Sequence, residues 1–109
     1  MQKGIHLPTD YLNKIVESIV SSVPTTAIYV FGSYARGEES PGSDLDLYVV
    51  VPDDKESRFT RAGRIGNALL WMGMPKDIVV GSAKRFDERQ HDMANIEYVV
   101  ACEGVKMYG

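Results

Sequence analysis

An apolar run that stops on Gly32-Ser33, followed ten residues later by a second apolar run opening on Asp44-Leu45-Asp46, constrains this chain more than any other feature. The segment reads Val30-Phe31-Gly32-Ser33-Tyr34-Ala35-Arg36-Gly37, a polar loop from Glu38 to Ser43, then Asp44-Leu45-Asp46-Leu47-Tyr48-Val49-Val50-Val51. Side chains alternate along a strand, so Asp44 and Asp46 share one face. Tyr48 and Val50 fall on that face too, and Leu45, Leu47, Val49 and Val51 on the other. Two adjacent carboxylates repel, and a cation relieves them. Hard oxygen ligands suit Mg²⁺, which takes one or two carboxylates and completes its shell with water and substrate phosphates. Gly32 has no Cβ to keep a ligand away, and Ser33 offers a hydroxyl and an amide at the start of a short helix. Each feature alone also has an ordinary reading, a simple turn or a solvated strand face. Together they predict a metal–nucleoside triphosphate site. No Gly-Lys-Ser/Thr follows at the spacing a P-loop needs.

The rest of the chain supplies a frame for this site. Leu12, Ile15, Val16, Ile19, Val20 and Val23 recur at helical spacing, with Thr9 or Asp10 as cap and Pro24 as stop. Thr25 to Phe31 is β-branched and apolar and reads as a strand, as does Leu45 to Val51. Pro41-Gly42 marks the turn between them. A helix is expected from about Lys55 to Met72, ended by Gly73 and Pro75, then a short strand at Ile78-Val79-Val80. Two helices close the chain, near 83–90 and 95–103. The order predicts an α/β (α+β) fold: a small mixed sheet of three or more strands with helices packed on it, in a single domain over 1–109.

Asp77 stands at the start of the third strand. If that strand neighbours the second, three carboxylates converge, as two-metal phosphoryl transfer requires. The third then completes a metal site and takes a proton from an attacking hydroxyl. Its ordinary reading is a strand-edge acid paired with Lys76 or an arginine.

Gly32-Ser33, the ten-residue gap, Asp44-X-Asp46 and the later Asp77 resemble the DNA polymerase β-type nucleotidyltransferase superfamily. Phe31 to Gly37 and Ser43 to Leu47 are similar, more narrowly, to the minimal nucleotidyltransferases (MNT proteins), as is the ending Ala101-Cys102-Glu103-Gly104-Val105-Lys106-Met107-Tyr108. The resemblance implies a nucleotidyltransferase fold and transfer of a nucleoside monophosphate, AMP from ATP, to a hydroxyl. It implies that Gly32 and Ser33 hold the β and γ phosphates and that Asp44, Asp46 and Asp77 are catalytic and bind two Mg²⁺ ions. Arg36 either faces the triphosphate or anchors its loop to an acidic neighbour, and Tyr34 packs rather than stacks on a base. The resemblance also implies a HEPN-domain partner, with this chain as the antitoxin that adds AMP to a tyrosine of the toxin. After the site elements only about thirty residues remain, fewer than the ~50 a separate acceptor domain needs. The acceptor is therefore expected to be a macromolecule or to be bound by a second subunit. A contact-only antitoxin and a small-molecule (antibiotic) nucleotidyltransferase are the competing readings.

The net charge of −3 argues against broad electrostatic binding to nucleic acid. No apolar run approaches the ~20 residues that span a membrane, and charged residues interrupt the first twenty, so a cytoplasmic protein is expected. The lone Cys102 is expected to pack as a small hydrophobe. Lys55, Arg58, Arg61 and Arg64 are expected on a solvated helix face, His6 and His91 at the surface, and Trp71, Met72 and Met74 in packing.

Overall fold

Residues 4–109 are described by a computed structural model. Its elements are α1 (Thr9–Ser22), β1 (Ala27–Phe31), α2 (Ser33–Arg36), β2 (Leu45–Val51), α3 (Arg58–Ala68), a 3-10 turn (Leu70–Met72), β3 (Lys76–Ser82), α4 (Ala83–Arg89), α5 (Ile96–Glu103) and β4 (Val105–Tyr108). The strands form one sheet in the order β3-β2-β1-β4. β1 runs antiparallel to β2 and β4, and β2 runs parallel to β3, with α3 in the crossover that a parallel pair requires. The mixed sheet is the predicted one.

Both faces of β2 are covered, which the apolar second half of the strand demands. Leu45, Leu47, Val49 and Val51 join Ile28 and Val30 against Ile15 and Ile19 of α1 and Ile65 of α3. The opposite face, which continues the parity of Asp46, buries Tyr48 and Val50 with Ala27, Phe31 and Val100 under α4 and α5. Phe86 of α4 stacks on Tyr29 and meets Tyr48 edge-on, with ring centroids 5.6 and 5.4 Å apart.

Glu97, 1% exposed, is the polar tie under this second face. Its carboxylate accepts from Tyr48 Oη at 2.7 Å and from Arg89 Nε at 3.2 Å, with Arg85 Nε 3.4 Å away. Burial pushes the Glu97 carboxyl up. Hydrogen bonds from Tyr48, the backbone and Arg89, with the charge of Arg85, outweigh it and hold the group below the usual carboxylate range. Burial, then the bond to Glu97, push the Tyr48 hydroxyl well above its ordinary value.

Several local expectations change. Neither Thr9 nor Asp10 caps α1; Pro8 holds the cap position, and its carbonyl accepts from Leu12 N. The long helix starts at Arg58, where Ser57 Oγ accepts from Phe59 N, and tightens into the 3-10 turn before Gly73 takes φ +65°. Arg61 is not solvated. It is 3% exposed and ties the preceding loop to α3 through the Asp53 carbonyl at 2.7 Å and the Asp53 carboxylate at 2.9 Å. A step of three drifts around the helix axis and turns this one arginine inward. Cys102 is exposed, because α5 buries Glu97 and Val100 and Cys102 falls past that face. Tyr34, Trp71 and Met74 pack against the larger core and Met72 lies within it, and His6 and His91 are exposed. Among the described residues no helix is long and apolar enough to cross a membrane.

Candidate active site

The parallel register sets Asp46 directly against Asp77, and the antiparallel register sets Asp46 against Phe31. Registered residues of neighbouring strands point to the same face, so the Asp46 and Asp77 side chains share one. Asp44 lies just before β2, two residues from Asp46 and of the same parity. Asp44 and Asp77 are exposed and Asp46 is half-buried. Burial, then the charges of Asp77 and Asp44, push the Asp46 carboxyl above its ordinary value, while Arg36 pulls it down. Asp46 therefore feels the charge of both other carboxylates. Among the described residues, however, no three His, Cys, Asp or Glu side chains are already drawn together as a ready-made ion cage.

The Gly-Ser turn lies against the same point. Gly32 has φ +75°, and a Cβ there would overlap the Asp46 carboxylate. Only glycine meets both demands, a left-handed backbone and a carboxylate at its α-carbon. Ser33 opens α2, and Gly37 ends it at φ +70°. The turn is thus fixed at the end of β1, beside the start of β2.

Arg36 pairs with two acidic neighbours in this structure. Its Nε donates to Glu38 at 2.8 Å and its Nη1 to Glu103 at 2.9 Å. Glu103 Oε2 also accepts from the Gly32 amide at 3.2 Å. Sequence reasoning missed Glu103 as a site residue. It lies 71 positions from Gly32; it stood within the family-like ending at 101–108 with no role attached, and β4, the strand that follows it, brings it back to β1.

Three carboxylates at one strand end, with the half-buried Asp46 pushed up by burial and then by its neighbours, are oxygen donors of the kind a hard divalent cation takes. Strand-end carboxylates beside a backbone turn on a mixed sheet are an arrangement that phosphoryl transfer can use. The nucleotidyltransferase domain model matches residues 12–100, and the chain belongs to that family. Protein adenylyltransferase MntA of Shewanella oneidensis is 35% identical over 60 residues, which cover 52% of this chain and 43% of MntA. The matched part is thus less than half of that relative's length. The fold also superposes on a toxin–antitoxin crystallised with AMP-PNP, at 25% identity and TM-score 0.60 over 90% of this chain and 73% of that one. A Sulfolobus solfataricus protein assigned as a nucleotidyltransferase gives 28% identity and TM-score 0.60, over 87% of this chain and 75% of that one.

Proposed function

We propose that this chain transfers AMP from ATP to a hydroxyl of a protein partner, a tyrosine of a HEPN-type toxin, and so acts as an antitoxin. The observation that carries the reading is the pairing of Asp46 with Asp77 beside the Gly32-Ser33 turn. The likeness to MntA and to the toxin–antitoxin with AMP-PNP supports the choice of nucleotide and acceptor.

In this reading Ser33 presents its hydroxyl and amide to the β and γ phosphates. Asp44, Asp46 and Asp77 would hold two Mg²⁺ ions, which would offset phosphate charge and polarise the reacting oxygens. The acceptor oxygen bonds to the α-phosphorus, the bond from that phosphorus to the β-bridging oxygen breaks, and pyrophosphate leaves. Asp77, exposed where its register partner Asp46 is half-buried, takes the acceptor's proton. The half-buried setting of Asp46 keeps water from screening the developing charge.

ATP with Mg²⁺ is expected to raise the melting temperature by mass action. The gain is about 2.7 kcal/mol at a hundredfold excess over Kd, and either component alone gives much less. Ser33→Ala reduces the gain. Equal stabilisation by ATP in excess chelator contradicts the metal-bridged site.

A further inference from the structure

We propose that Glu103 is a positioning residue that occupies Arg36 and the Gly32 amide as a phosphate would, and that a polyphosphate binds by taking Arg36 from it. The proposal rests on the nucleotide reading of the site given above.

One oxygen of Glu103 accepts from both groups, at 2.9 Å from Arg36 Nη1 and 3.2 Å from Gly32 N. The carboxylate is held there from two sides. It ends α5, and the corner after it is tight, because a Cβ on Gly104 would run into the Val100 carbonyl. The chain then enters β4, which pairs with β1, the strand that delivers Gly32. Glu103 is thus placed by the sheet rather than by its own side-chain freedom. Its side chain is 27% exposed and that of Arg36 is 43% exposed, so the pair lies at the open rim of the site. The charge of Arg36 also pulls the Asp46 carboxyl down against its acidic neighbours.

A guanidinium meets carboxylate and phosphate through the same donor fork. ATP brings several negative charges where Glu103 brings one, so exchange of Arg36 from Glu103 to a phosphate gains charge on the acceptor side. Release of Glu103 frees the Gly32 amide in the same step. Glu103 therefore sets how tightly polyphosphate binds, and keeps the turn in shape in its absence.

The test is MgATP binding to the chain by calorimetry, with Glu103→Gln, Arg36→Ala and the double variant. The glutamine keeps an acceptor for Gly32 but removes the Glu103 charge from Arg36 Nη1, leaving Glu38 on Nε. Glu103→Gln is expected to bind MgATP about two- to fivefold more tightly, the worth of one partly exposed ion pair. That gain is expected to vanish in the Arg36→Ala background. In the unsubstituted chain, the Arg36 Nε–H signal in NMR is expected to shift on titration with MgATP. Weaker binding by Glu103→Gln, an undiminished gain without Arg36, or an Arg36 signal that does not move overturns the proposal. A chain that does not bind MgATP at all overturns the nucleotide reading along with it, whereas binding that is indifferent to Glu103 overturns this inference alone.

Discussion

At the scale of single residues, Asp46 carries the conflict on which the site is built. Burial and the neighbouring carboxylates raise its pKa in the folded chain. A raised acid pKa means that the native state holds the proton more tightly than the unfolded one. Stability from this group is therefore full at low pH and falls as pH rises from the unfolded value through the folded one. At neutral pH the ionised group costs stability. Asp46→Asn is thus expected to raise the melting temperature at pH 7 by on the order of 3 °C, the size that ~0.5 kcal/mol gives in a domain of this length. The gain should disappear near pH 3, while nucleotidyl transfer is lost at every pH. A variant no more stable than the parent at pH 7, followed by differential scanning calorimetry, contradicts the repulsion. The placement of Asp44, Asp46, Gly32 and Ser33 at one strand–turn corner was legible in the sequence, because spacing and strand parity are local properties. Glu103 was not, because its contact with Gly32 depends on how the last strand returns to the first.

At the scale of elements, Glu97 is the buried polar tie between α5 and the sheet, beside the apolar packing of Val100. Glu97 takes hydrogen bonds from Tyr48 of β2 and Arg89 of α4. Removing it strands the buried Tyr48 hydroxyl and leaves the two half-exposed arginines to water. Glu97→Ala is expected to cost about 2–4 kcal/mol in urea denaturation, and Tyr48→Phe about 1 kcal/mol. Because the Glu97 pKa is held down, its contribution is present above the ordinary carboxylate range and fades as pH falls through the lowered folded value. A loss below about 1 kcal/mol for Glu97→Ala contradicts the account of this face. Helices α1 and α3 were readable because their apolar stripes repeat over several turns. β4 was not, since four residues with Lys106 and Tyr108 exposed offer too short an alternation to separate from a loop. Arg61 was misread because charge alone does not tell an arginine that ties a loop from one that faces water.

At the scale of the whole molecule, the sheet order puts the Gly-Ser turn and the three aspartates at one end of neighbouring strands. The tail of the chain, α5 and β4, closes over the same corner. The fold class was readable from the order of elements. The convergence of Asp77 with Asp46 was a conditional reading until the parallel pairing of β2 and β3 supplied it. Nucleotidyl transfer from this corner is read out by the position of the label that moves. The chain is mixed with a HEPN-domain partner, Mg²⁺ and ATP labelled at either the α or the γ phosphate, and the partner is then resolved by gel and mass spectrometry. The account predicts label on a partner tyrosine from the α phosphate alone, abolished by Asp44→Asn or Asp46→Asn while the two proteins still bind. Label from the γ phosphate, or undiminished transfer by either aspartate variant, would contradict it.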